Sequence, residues 1–171
     1  NQAGVNPLRK SLGHDGLMMP PSTMDGLNPV ESYVDQNQQS EQLVLSMLEE
    51  LGRFDGKSLV SMQLENYWHP DFMWYGPAGI GTTRGISDFR KNHQGPFVFS
   101  FPDRVVDHKA AIIKKGNYVS TGGWPHMHGT HLTGGWLGLP PSGIKLELRV
   151  IDIWRRENHL LKENWVGIDI I

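Results

Sequence analysis

Residues 145–171 read KLELRVIDIWRRENHLLKENWVGIDII, and the alternation within this stretch decides the fold. Two runs of alternating apolar and polar residues flank Glu157-Asn158-His159, the pattern of an antiparallel hairpin with its turn there. Side chains in a strand point alternately to its two faces. Leu148, Val150, Asp152 and Trp154 therefore share one face, and Arg149, Ile151, Ile153 and Arg155 share the other. Asp152 is thereby an acid among apolar and aromatic neighbours in the middle of a strand. Desolvation of such a carboxyl raises its pKa and makes it a candidate general base near neutrality. Alternation alone leaves a second role equally open, that of a structural acid paired with an arginine or histidine on the next strand.

Upstream, residues 104–124, RVVDHKAAIIKKGNYVSTGGW, read as another hairpin, turning at Lys115-Gly116-Asn117. Between the hairpins lies His126-Met127-His128-Gly129-Thr130-His131, which holds three of the eight histidines and runs on to a Pro-Pro-Ser-Gly turn at 140–143. In an extended strand His126 and His128 share a face, a spacing that suits metal ligation, with a third ligand needed from a neighbouring strand. His131 falls on the opposite face unless Gly129 introduces a bulge. The alternative is that these are pocket-lining or surface histidines.

The first part of the chain has helical periodicity instead. SEQLVLSMLEELGRF (40–54) places Leu43, Val44, Met47, Leu48 and Leu51 on one helix face, with Ser40 as N-cap and Gly52 as terminator. KSLVSMQLENYW (57–68) predicts a second short helix, stopped by Pro70, and GISDFRKNH (85–93) a weaker third. Helices followed by long antiparallel strands predict an α+β domain, with about three helices on one face of a curved sheet. Residues 1–36 are rich in Gly, Pro, Asn and Met, and Pro20-Pro21 and Asn28-Pro29 forbid a regular element; they read as an arm preceding a domain over 37–171.

Other motifs carry less. YGPAGIGTTRG (75–85) is one residue too long for a dinucleotide fingerprint and lacks a βαβ context, so it reads as a glycine-rich loop before the third helix. With 171 residues, 38% hydrophobic and 20% charged, the composition is that of one globular domain. A net charge of −2 without basic runs argues against nucleic-acid binding, and no apolar stretch is long enough for a membrane span. There is no cysteine, so thiolate chemistry, disulfides and Cys-based metal sites are absent. That fits a reducing compartment, and the expectation is a cytoplasmic protein; no charged-then-apolar signal pattern follows Asn1. Six tryptophans exceed the needs of a small core and suggest a pocket for a flat, hydrophobic ligand.

Three blocks then carry a resemblance: HPDFMWYGPAGIGTTRGISDFRKNHQGPFVFSFPDR (69–104), GTHLTGGWLGLPPSGIKLELRVIDIWRR (129–156) and LKENWVGID (161–169). In this order they resemble the SnoaL-like polyketide cyclase or "ester cyclase" proteins of the NTF2-like superfamily. The resemblance covers residues 40–171 and implies a cone, a curved antiparallel sheet closed by about three helices around a pocket. It implies a cofactor-free enzyme acting on a hydrophobic polyketide-like or keto-ester molecule, by proton abstraction and aldol-type ring closure or isomerisation. Asp152 best matches the catalytic acid, and His131 looks like a pocket histidine that orients it or a substrate carbonyl. The ligand contacts so implied are Trp74, Tyr75, Phe99, His128, Trp136, Trp154 and Trp165, and no metal is expected, with His126 and His128 the only candidates. The alternative on the same cone is a small-molecule binding protein without chemistry; less favoured is a metal-dependent enzyme using the histidine cluster. A homodimer through Ile151 and Ile153 completes the expectations, with no nucleic-acid or membrane partner.

Overall fold

A computed structural model describes residues 34–107 and 111–169. The expected arm therefore lies outside the described residues, apart from its last three positions, which are helical. Helix α1 spans Val34–Leu51 and packs Val44, Met47 and Leu48 into the core. Strand β1 (Trp68–Tyr75) is followed by β2 (Thr82–Arg84), then helix α2 (Gly85–Phe89), a π-helical turn (Arg90–Gln94) and α3 (Gly95–Ser100). The strands β3 (Val105–Val106), β4 (Ala111–Lys115), β5 (Tyr118–Thr130), β6 (Lys145–Glu157) and β7 (Leu160–Ile168) complete the domain. One seven-stranded sheet runs in the order β2-β1-β7-β6-β5-β3, with β4 sharing the β5 edge. All neighbours are antiparallel except β1 and β7, which run parallel.

Both expected hairpins form, each with a two-residue turn. Lys115 pairs with Tyr118 around Gly116-Asn117, and Glu157 pairs with Leu160 around Asn158-His159. Gly116 (φ 58°) and Asn158 (φ 55°) take the left-handed conformation that such turns need, which glycine and asparagine adopt at least cost. The alternation of β6 holds: Leu148, Asp152 and Trp154 are buried, whereas Arg149, Ile151 and Ile153 are exposed. Arg155 departs from it, being buried on the outer face in an ion pair with Glu163.

Three local expectations are corrected. Ser40 is not an N-cap, because the helix begins at least six residues earlier. It lies buried within α1, where its Oγ donates to the Gly116 carbonyl (2.8 Å) and accepts from Arg156 Nε (2.9 Å). One hydroxyl so ties the helix to both hairpin ends. Ser40→Ala leaves the Arg156 Nε–H without its partner, and a loss of about 1–3 kcal/mol is expected in urea unfolding. An unchanged midpoint would show that the tie contributes nothing.

The segment 57–68 is not one helix but two 3₁₀ turns, Leu59–Met62 and Leu64–Asn66, broken at Gln63 with φ 46°. Burial of Met62 and Leu64 takes precedence over helical periodicity there. The last correction concerns His126 and His128, which do not share a face. Between the pairs Gly123–Val150 and Met127–Leu148, β5 carries two residues more than β6, with a cis Trp124–Pro125 bond inside the irregularity. Pro125 has no N–H to give to a ladder, so the strand bulges. His126 and Met127 are consequently both buried and His128 is exposed.

Candidate active site: a buried acid in an apolar cavity

Between the helices and the sheet lies a cavity of about 560 Å³. Its deep walls are the buried Trp68, Trp74, Phe89 and Trp154, and its rim includes the more exposed Phe54, Phe99 and Val105. The volume is in the range of small-molecule sites. The strands place the deep polar groups by register. Trp74, Asn164 and Trp154 form one rung across β1, β7 and β6, and Thr121, Asp152 and Val166 form the corresponding rung on β5, β6 and β7.

Asp152 lines the cavity and is almost fully buried, at 8% exposure. Its one hydrogen-bonding neighbour among the described residues is Asn164, whose Nδ2 donates to Oδ1 at 3.2 Å. Burial pushes the carboxyl up to about 7, and the Asn164 bond opposes that rise. No ion pair involving Asp152 exists among the described residues, so the structural-acid alternative has no cationic partner here. Trp154 is fixed beside it by an Nε1–H donated to Thr121 Oγ1 at 3.1 Å. The site thus holds a carboxyl that changes protonation near neutrality inside an apolar, aromatic chamber.

Sequence reasoning missed a second polar element. His93, on the π-helical turn, lines the cavity with its ring stacked on Trp74 (4.0 Å between centroids, 17°) and on Phe97 (5.6 Å, 26°). Burial drives its pKa down to about 3, so the imidazole is neutral at any physiological pH. Its Nδ1 is buried with no hydrogen-bond partner among the described residues, as are Gln94 Oε1 and Asn164 Oδ1 in the same chamber. An unmade buried hydrogen bond costs about 1–3 kcal/mol, so these groups are suited to a guest with polar functions. The signal for His93 was present in the sequence: Phe89, His93, Phe97 and Phe101 recur every four residues on one helical face. His126 lines the same cavity, and burial lowers its pKa as well.

The other expected site residues divide. Trp74, Phe99 and Trp154 line the cavity. His131 does not. It is buried outside the cavity wall, its Nδ1 lying 3.3 Å from Ser142 Oγ and its ring tilted against Phe101. Trp136 packs behind Phe97 and Phe101 in the core without reaching the cavity. Tyr75 and Trp165 stack on each other (5.4 Å) on the outer face of the sheet, and the Tyr75 hydroxyl donates to Glu163. His128 is exposed, between Val105 and Glu147 in register. Arg149 also faces outward, paired with Asp169 and lying over the Trp124 ring. Among the described residues no three His, Asp or Glu side chains converge as a metal site, and the three histidines of the 126–131 stretch have separate environments. No helix of the described residues is long and apolar enough to cross a membrane.

With this geometry in hand, the comparisons with known proteins agree on a class. The fold is NTF2-like. In crystal structures it is similar to a protein from Jannaschia sp. CCS1 provisionally assigned as a SnoaL-like polyketide cyclase, at 17% identity and a TM-score of 0.65, covering 82% of this chain and 92% of that one. It is similar also to AclR of Streptomyces galilaeus, provisionally assigned as a hydroxylase (21%, TM-score 0.59, 78% and 91%). IdmH of Streptomyces antibioticus, provisionally assigned as a polyketide cyclase, is a third (21%, 0.57, 77% and 92%). The model of the SnoaL-like polyketide cyclase family matches residues 57–171, and the chain belongs to that family. No functionally curated protein matches it.

Proposed function

We propose that the protein is a cofactor-independent cyclase or isomerase in which Asp152 takes a proton from carbon. The observation that carries this reading is the Asp152 carboxyl, buried in the cavity with a pKa of about 7 and held by a single donor. A base is most effective when its pKa lies near the working pH. In the reaction the Asp152 carboxylate removes a proton from a carbon next to a substrate carbonyl, leaving an enolate. The enolate carbon attacks a second carbonyl of the same molecule, a carbon–carbon bond closes a ring, and protonated Asp152 returns its proton to the new alkoxide. Developing charge on oxygen needs hydrogen-bond donors already in place. The neutral imidazole of His93, with His126 on the same cavity wall, is suited to that role, and the family's description supports a polyketide-like substrate.

The test is the pH profile of kcat/KM on a panel of cyclisable β-keto esters. Activity should rise with pH through about 7, because the active form is the carboxylate. A ligand that binds and is recovered unchanged across the panel would favour the non-catalytic binding protein.

A second copy of the chain is the proposed partner of the outer sheet face. Ile113 (73% exposed), Ile151 (56%) and Ile153 (40%) lie together there, with Ser120 and Gly122 between them in register. Ile151→Glu should shift the protein to monomer in sedimentation equilibrium. A wild-type monomer at high concentration would remove the proposal.

A further inference from the structure

The rim of the cavity carries a cation that the proton-abstraction chemistry does not use. Arg104 follows α3 and lines the cavity beside Phe54, Phe99 and Val105, half-buried, with its guanidinium 5.6 Å above the Phe54 ring. Phe54 is held in turn by an edge contact with Phe99 at 5.4 Å. The other described arginines each have at least one side-chain acceptor. Arg53, Arg84, Arg90, Arg149 and Arg155 have carboxylates, and Arg156 has Ser40, Asn117 and the Asn158 carbonyl. Arg104 is the exception among the described residues. Its only bonds run from one nitrogen, Nη1, to the carbonyls of Val98 and Phe101, at 3.5 and 3.4 Å. Those bonds are at the long limit and leave Nε and Nη2 uncommitted.

A cap on the end of α3 would account for Nη1 and for nothing else. Lysine could supply that bond, but only arginine keeps a planar fork of donors and its charge in a half-buried, aromatic setting. Among the described residues no lysine lines the cavity, and the other charged rim residue, Glu49, is exposed and makes no ion pair with Arg104. The chamber is therefore aromatic, with Asp152 as its ionisable group in depth and, among the described residues, Arg104 as the one cation at its entrance.

We infer that Arg104 binds a carboxylate of the substrate at the cavity mouth, so that the ligand is a flat, ring-bearing carboxylic acid which enters rings first. The inference rests on the small-molecule reading of this cavity and adds the class of molecule. Two parallel N–H···O bonds from the fork fix both the position and the orientation of a carboxylate. That remote contact sets the depth at which the rings lie against the Trp74–His93 stack, and so brings the reacting carbon to Asp152. An ester at the same place offers no charge and at most one good acceptor to the fork. The structure therefore separates acids from their own esters.

The experiment titrates the full chain with anthraquinone-2-carboxylate and with its methyl ester, following quenching of the cavity tryptophans. The acid should bind at least tenfold more tightly than the ester, and the preference should shrink as potassium chloride is added. Arg104→Gln should weaken the acid by about tenfold while leaving the ester within about twofold. Arg104→Lys should keep a reduced preference for the acid. If Arg104→Gln does not fold, the wild-type comparison and the lysine variant still decide the matter. Equal affinity for acid and ester in the wild type, binding of neither, or an undiminished preference in Arg104→Gln would overturn the inference. Because the readout is binding alone, a failure of Asp152 as a base would leave these results unchanged, and the two readings fail separately.

Discussion

Asp152→Asn is expected to abolish turnover and, above neutrality, to make the protein more stable. The substitution keeps the shape of the side chain and its acceptor for Asn164 Nδ2 but removes the base. General-base contributions of this kind are about 10²- to 10⁴-fold in rate. The stability effect follows from the raised pKa. Near pH 4 and below, the folded Asp152 carries its proton and costs nothing. As pH rises from 4 towards 7 the unfolded chain ionises this group while the folded chain holds the proton, so stability is progressively lost. Above about 7 the folded state must bury the charge, and the full penalty is present. The shift from 3.8 to about 7 corresponds to about 4 kcal/mol as an upper figure. Asparagine carries no such penalty. At pH 8.5 the variant should melt roughly 5–15 °C above wild type, and the difference should close towards pH 4. Calorimetry across that range checks it. A variant less stable than wild type at pH 8.5 would mean that the carboxylate is held by favourable contacts, contrary to the cavity described above.

The second large effect lies on the opposite face of the same strands. Glu163 is wholly buried, accepting from Arg155 Nε and from the Tyr75 hydroxyl at 3.0 Å. Burial and the adjacent carboxylate push the Tyr75 phenol well above its ordinary range, so it acts as a donor throughout. Glu163→Gln leaves the Arg155 guanidinium, itself only 7% exposed, with only the long, half-exposed contact to Glu157 at 3.7 Å. Breaking one side of a buried pair costs about 3–5 kcal/mol, which should lower the melting temperature by roughly 6–20 °C. The double variant Arg155→Met, Glu163→Leu should recover most of that loss, since apolar replacement of a buried pair is often neutral or better. A single variant that loses less than 1 kcal/mol in urea would show that water reaches the pair. The effect on Asp152 should be small, because Glu163 and Asn164 point to opposite faces of β7 and it is Asn164 that bonds to the acid.

The parts of this molecule that were legible in the sequence are those governed by local periodicity. Alternation in RVIDIW placed Asp152 with Trp154 and apart from Ile151 and Ile153, and the burial of β6 follows that pattern. The two hairpins announced themselves by Gly116 and Asn158 between alternating runs. His93 was equally legible in principle, since its four-residue spacing from Phe89 and Phe97 puts all three on one face. The GISDFRKNH periodicity is nevertheless too weak to extend a helix past His93 through Gly95-Pro96 to Ser100, where the chain does remain helical.

What the sequence could not specify was pairing between residues far apart in the chain. Local rules make Ser40 a cap, yet its hydroxyl serves Gly116 and Arg156, which lie 76 and 116 residues away. The histidine stretch failed for a related reason. Whether His126 and His128 share a face depends on how many residues of β5 oppose β6, and the bulge at Trp124-Pro125 is a property of that pairing. His131 looked like a neighbour of the acid, but the chain leaves β5 at Thr130 and carries its ring behind Phe101.

By itself, then, the sequence determined which residues alternate, where the chain turns, and that one acid sits among apolar side chains. Those outcomes follow from backbone geometry acting over a few residues. Only the tertiary structure decided that, among the described residues, Asn164 would be the acid's hydrogen-bond partner, that His93 would face the same chamber, and that Arg104 would stand at its mouth without a carboxylate from them. Each of these depends on strand register and helix docking across the whole domain, where burial and electrostatics are set by neighbours that the local sequence does not name.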